Sequence, residues 1–176
     1  RSSDLNDIYG IALFVSHNTT FHSTTALSYL NATGASFQGN GVGIAISLSN
    51  NTTFHSTTTL SHLNATRHLY GIALGSSNNS SFHSTINISH FNVTGSHAYI
   101  SAIYLGMSNI TIFYSDINIS HLNANSTVGT GHNCGIYLTL SNITIFHSNI
   151  TISHLNATDV GAFGIALEKS NNTDFS

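Results

Sequence analysis

Residues 49–66 read SNNTTFHSTTTLSHLNAT, and the chain carries two close copies, SHNTTFHSTTALSYLNAT at 16–33 and SNITIFHSNITISHLNAT at 141–158. Inside each copy the apolar and polar residues alternate, as in FHSNITI at 146–152 and FYSDINI at 113–119. A period of two marks a strand with one face inward and one outward. Charged residues four apart and an apolar period near 3.6, the marks of a surface helix, are both missing.

The copies belong to a longer repeat. An anchor isoleucine recurs at Ile11, Ile44, Ile72, Ile103, Ile136 and Ile165, followed ten positions later by Phe21, Phe54, Phe82, Phe113, Phe146 and Phe175. Ten positions after the phenylalanine comes Asn31, Asn64, Asn92, Asn123 or Asn156, and only the step to the next isoleucine varies, from 8 to 13 positions. The unit is a fixed block plus one tunable connection, with a period near 31. It predicts three short strands per unit: GIAL, then TTF or TIF, then TxLS or NIS, with Asn, Ser and Gly at the corners. Such strands cannot bury a face alone. Stacked coil on coil they form an all-β parallel β-helix of five to six coils, one solenoid domain over 1–176. Equivalent residues then lie about 4.8 Å apart, Phe on Phe and Ile on Ile. Ser16, Ser49, Ser77, Ser108, Ser141 and Ser170 form a further column. The Gly or Ala before each anchor isoleucine is expected at a tight turn. An antiparallel sandwich would not require identical spacing in every unit.

The segment CGIYLTLSNITIFHSNITISHLNAT at 134–158 resembles the right-handed parallel β-helix repeats of large cell-surface, adhesin-type and fibril-forming proteins. The resemblance extends over residues 8–176 and implies a right-handed coil and a surface role. The chain departs from that pattern in carrying His where such repeats carry Asn or Ser.

Composition narrows the function classes. Charged residues are 5% of the chain and the net charge is −3. A typical soluble domain has about 25% charged residues, and a nucleic-acid partner calls for a basic surface. No apolar run reaches the length of a bilayer span. Cys134 is the single cysteine, so no intrachain disulfide forms. The sequence starts at Arg1 without Met, which reads as a processed form or a piece of a longer chain.

Sixteen of the 21 asparagines have Ser or Thr two positions on, where chance gives about six. Two causes compete. Asparagines stacked along a solenoid bond to one another as a ladder, and the same triplet accepts N-linked glycans, which solubilise a surface. Glycosylation is favoured by two substitutions. Asn123 lacks the triplet but Asn125-Ser126-Thr127 restores one, and Asn18-Thr19-Thr20 stands in where His17 replaces a corner asparagine. The expected sites are Asn31, Asn64, Asn92, Asn125 and Asn156, each beside a turn, then Asn109 and Asn142, with Asn87 and Asn118 outward on the third strand.

Most of the 12 histidines fall in two columns. One is His22, His55, His83 and His147 with Tyr114; the other is His62, His90, His121 and His154 with Tyr29. A metal centre needs three or four convergent ligands, and tyrosine in both columns argues for stacked rings instead, with no metal. Enzymes that cleave polysaccharides need paired carboxylates. The acids here (Asp4, Asp7, Asp116, Asp159, Glu168, Asp174) do not stack into pairs in the middle units, so no catalytic residue is expected. A flat ice-binding Thr array, suggested by TTT at 57–59, is broken by Asp116, Asn118, Asn87 and Asn149.

The sequence therefore reads as a non-catalytic extracellular structural module, secreted or at a cell surface. It has no cofactor apart from N-linked glycans, and its partners are further copies of itself. Neither terminus reads as a cap, so head-to-tail stacking into a fibril, or a window on a longer solenoid, is expected. In the second strand ITIF at 110–113 and 143–146 replaces NTTF, which puts Ile110, Ile112, Ile143 and Ile145 outward as an interface. The alternative is an adhesin or carbohydrate-binding segment with its specificity in variable loops at 32–43, 93–102 and 124–135.

Overall fold

The computed structural model describes residues 7–32 and 40–176. These fold into strands, with no helix among the described residues. In chain order they are β1 (Asp7–Phe14), β2 (Thr20–Phe21), β3 (Thr25–Ser28), β4 (Asn31–Ala32), β5 (Asn40–Ser47), β6 (Thr53–Phe54), β7 (Thr58–Ala65) and β8 (His68–Gly75). They continue with β9 (Asn78–Phe82), β10 (Ile86–Gly106), β11 (Asn109–Phe113), β12 (Ile117–Thr139), β13 (Asn142–Phe146), β14 (Ile150–Thr158), β15 (Gly161–Glu168) and β16 (Asn171–Phe175). Each strand pairs in parallel with its equivalents in the neighbouring coils, as a parallel β-helix requires.

The second strands form one six-stranded sheet, β16-β13-β11-β9-β6-β2. The first and third strands share the larger sheet, because β10 and β12 run unbroken from the third strand of one coil into the first strand of the next, over 21 and 23 residues. This corrects the loop assignment at 93–102 and 124–135. Those segments are extended because the adjacent coil holds them in register, Val93 against Ala124, Thr94 against Asn125 and Ala98 against Gly131. Their unequal length is absorbed at a shift between Gly95 and His97, where residues 127–129 fall outside the pairing as a bulge. Of the connection at 32–43, residues 33–39 lie outside the described residues and 40–43 belong to β5.

The expected columns are present. Ile11, Ile44, Ile72, Ile103, Ile136 and Ile165 pair in one register. The rings of Phe21, Phe54, Phe82, Phe113, Phe146 and Phe175 stack at centroid distances of 4.4 to 5.0 Å, within 8° of parallel; the four middle rings are fully buried, Phe21 is half-buried and Phe175 is exposed. Leu60, Ile88 and Ile119 on the third strand close the core against them, fully buried. Burial of one such side chain stabilises the fold by roughly 1.5–3 kcal/mol, and the stack repeats it at Phe54, Phe82, Phe113 and Phe146.

The serine column binds the corner between the first and second strands from inside. The Ser49 hydroxyl donates to the Ser47 carbonyl at 2.9 Å and accepts the Ser16 N–H at 3.1 Å. Ser77, Ser108 and Ser141 repeat this arrangement, each accepting the N–H of the serine one coil before at 3.3 to 3.4 Å. A buried N–H that turns away from its own strand thus finds a partner in the next coil.

The glycine before the anchor isoleucine does not make a tight turn. Gly43, Gly71 and Gly135 lie within strands, and a Cβ at Gly71 would sit 2.4 Å from the Ala102 carbonyl and 3.0 Å from the Phe91 ring. What they permit is close approach of one coil's backbone to the next. The turning is done by residues with left-handed backbone in three columns. The first is Val15, Leu48, Ser76, Met107, Leu140 and Lys169; the second Asn18, Asn51, Asn79, Ile110, Ile143 and Asn172; the third Tyr29, His62, His90, His121 and His154.

Candidate functional site

The third corner column explains the second set of histidines. His is enriched several-fold among the non-glycine residues that adopt the left-handed conformation, and here it bends the third strand at φ 53–57°. The rings then stack outward, Tyr29 to His154, with centroids 4.5 to 4.9 Å apart. The other column stacks as well, from His22 through Tyr114 to His147, at 4.5 to 5.8 Å. Rings stacked face to face point their nitrogens in parallel, not toward a common point. Among the described residues no group of three or more His, Cys, Asp or Glu side chains could hold a metal ion.

The predicted glycan acceptors divide into two kinds. Asn31, Asn64, Asn92, Asn123 and Asn156 share one column. Asn31, Asn92 and Asn156 are exposed and Asn64 half-buried. Each asparagine of the column stands two residues after a left-handed corner residue, Tyr29, His62, His90, His121 or His154. Asn64, Asn92 and Asn156 nevertheless lie within β7, β10 and β14, because these strands continue through the corner, paired to the neighbouring coils. Asn125 is not in this column; it pairs with Thr94 and Thr158, one outward position further on. The second kind are ladders. The Asn142 amide donates to the Asn109 carbonyl at 3.0 Å and that of Asn118 to Asn87 at 3.0 Å. The corner asparagines do the same, Asn51 to Asn18 at 3.0 Å and Asn79 to Asn51 at 3.2 Å.

Ile110 and Ile143 are exposed, whereas Ile112 and Ile145 are half-buried on the outer face of β11 and β13. Met107 and Leu140, which the strand alternation did not single out, stand exposed in the same corner two residues before Asn109-Ile110 and Asn142-Ile143.

One surface escaped the sequence reading altogether. On the outer face of the first strands, Tyr9, Phe14, Tyr70 and Tyr104 wall a cleft of about 250 Å³ whose floor includes Ala45 and Ala73. Tyr9 and Phe14 meet edge to face at 5.9 Å, and Tyr70 packs on Tyr104 at 5.1 Å. Burial, with the neighbouring tyrosines, pushes the Tyr70 phenol up to about 12. One coil on, Tyr137 donates a short hydrogen bond to Glu168, and this bond raises its phenol to about 12. His132 packs edge-on to Tyr137 and is held below its ordinary value by burial. Cys134 lies under this face, its thiol raised to about 11 by burial and therefore not a nucleophile near neutrality.

The described acids have structural partners or stand apart. Asp116 accepts the backbone and side-chain N–H of Asn149 at 3.3 and 3.1 Å, Glu168 holds Tyr137, and Asp174 pairs with Ile145 at the sheet. No helix among the described residues is long and apolar enough to cross a membrane. No family model, curated protein or solved structure matches the chain.

Proposed function

We propose that the chain is a non-catalytic extracellular structural module, an N-glycosylated β-solenoid whose copies stack end to end into a surface fibril. The observation that carries this reading is the outward column of Asn31, Asn64, Asn92 and Asn156, all in acceptor triplets on a surface with almost no charge. A neutral surface stays dispersed only if something else solvates it, and glycans at these positions and at Asn125, with Asn87 and Asn118 behind them, do that. At about 4.8 Å between coils, crowding leaves some acceptors bare. End-to-end stacking is supported by the columns themselves: every coil offers the same Ile, Phe, Ser and Asn to the coil above, so a coil of one copy matches a coil of another. The test is intact mass of the secreted protein before and after enzymatic removal of N-glycans. A mass loss that disappears when Asn31, Asn64, Asn92 and Asn156 are changed to Gln supports the reading; an unchanged mass defeats it and leaves the asparagines as ladders.

A second reading, carbohydrate binding, is favoured by the tyrosine-walled cleft rather than by the variable connections. Aromatic rings around a small-residue floor suit the apolar face of a sugar, with phenols at hand for its hydroxyls. Tyrosine fluorescence titrated with cello- and chito-oligosaccharides checks it. No change on either series rejects the cleft as a sugar site.

A further inference from the structure

We infer that the corner between the first and second strands is a lateral contact with a second copy of this chain, running along the solenoid axis and distinct from end-to-end stacking. Two rows carry it. Val15, Leu48, Met107 and Leu140 form one, and Ile110 and Ile143 the other; all six are exposed.

Backbone strain says that these side chains are chosen for what they show outward. All six have positive φ, between 51° and 55°, a region costly for any residue with a Cβ and most so for the β-branched Val15, Ile110 and Ile143. The same columns accept Ser76, Lys169, Asn18, Asn51, Asn79 and Asn172 in other coils, and of these Asn takes this conformation more readily. Aliphatic residues here are unfavourable for the backbone and for solvent alike. Strain kept against an available alternative points to function.

The occupant follows from period, charge and exposure. The rows rise by one strand spacing per coil, about 4.8 Å; the six residues are uncharged, with Lys169 following Leu140 in the same column, and a surface that repeats that spacing and is equally uncharged is another such row. The six residues are 38% to 64% exposed, an apolar strip of the kind that marks a contact. The exposed Asn109 and Asn142 lie in the same strip. Asn109 and Asn142 lie between Met107 and Ile110 and between Leu140 and Ile143, and they are bonded to each other at 3.0 Å. A glycan on either would stand in the contact, so these two acceptors remain bare although their triplets are complete.

The experiment takes residues from the chain's own columns. A variant carrying Met107→Ser, Leu140→Ser, Ile110→Asn and Ile143→Asn is compared with the native chain by sedimentation at rising concentration and by thermal melting. The native chain is expected to pair laterally; the variant should melt no lower and lose self-association about a hundredfold. Electron microscopy separates the two contacts. Variant filaments one solenoid wide retain stacking without pairing, whereas native filaments already one solenoid wide overturn the lateral contact and leave stacking intact. A native chain that is monomeric through the millimolar range overturns both. Glycan mapping of the native secreted protein tests the proposal without any variant: bare Asn109 and Asn142 support it, and full occupancy at both overturns it.

Discussion

The second corner column is built on one backbone with two chemistries. In the first three coils it holds Asn18, Asn51 and Asn79 at φ 54–57°, and in the fourth and fifth Ile110 and Ile143 at 53° and 51°. Asparagine tolerates this conformation and bonds to its neighbour across the coils. Isoleucine, branched at Cβ, does neither. The coil imposes the geometry, and the residue is then free to answer to what lies outside.

Both halves share their interior, which sets the largest expected effect. Phe113→Ala should cost about 3–5 kcal/mol, read from urea unfolding, because it removes one ring from an unbroken stack. A loss below about 1 kcal/mol would mean that the stack is not the common core. Next comes the inner wall of the corner. Ser77→Ala in the asparagine half and Ser108→Ala in the isoleucine half each leave a buried N–H without its partner, at a cost of about 1–3 kcal/mol. Clearly unequal losses would break the claim that the two halves differ only outside.

The outer face offers a contrast of its own. Tyr70 in the third coil is raised from 10.0 to about 12 chiefly by burial, and Tyr137 in the fifth to about 12 chiefly by its bond to Glu168. A phenol that holds its proton more tightly in the fold stabilises the fold below its unfolded value. That contribution is lost as pH rises from about 10 to about 12, amounting to about 1–2 kcal/mol for Tyr70. Tyr70→Phe should flatten this alkaline slope. Glu168→Gln should bring Tyr137 back toward its ordinary value and leave Tyr70 where it is, followed by tyrosinate absorbance; movement of both together would refute separate causes. The smallest effects come from exchanging the corner residues. Asn51→Ile should destabilise by about 1 kcal/mol and Ile110→Asn stabilise by a similar amount, seen as opposite shifts in Tm. Two neutral exchanges would remove the strain from the comparison.

The stacking direction and the core were legible in the sequence because Ile44, Phe54 and Asn64 recur as identities at fixed intervals, and parallel coils demand just that. The corners were not, since Leu48, Met107, Leu140 and Ile110 are residue types that local rules assign to strands. Their left-handed backbone is forced by the coil around them. Histidine at 62, 90, 121 and 154 was a usable signal that the ring chemistry masked. Residues 93–102 and 124–135 read as loops because strand pairing there is decided by the neighbouring coil, not by local composition. The tyrosine cleft was hidden for a related reason. Tyr9 and Tyr70 occupy one register position and Tyr104 and Tyr137 another, so no single spacing brings them together.

Coils this alike raise a question of identity during folding. Phe54 could stack on Phe113 as well as on Phe82, and a chain that skipped a coil would find the same serine, the same isoleucine and nearly the same asparagine waiting for it. The connections tell the coils apart. One residue of β10, Ser96, lies opposite residues 127–129 of β12, and two residues, Thr66 and Arg67, separate β7 from β8. A coil placed against the wrong neighbour would have to close a connection of the wrong length. Neighbouring connections never share a length, 13, 8, 11, 13 and 9 positions from the asparagine to the next isoleucine, so the order of adjacent turns is written in the part of the repeat that does not repeat.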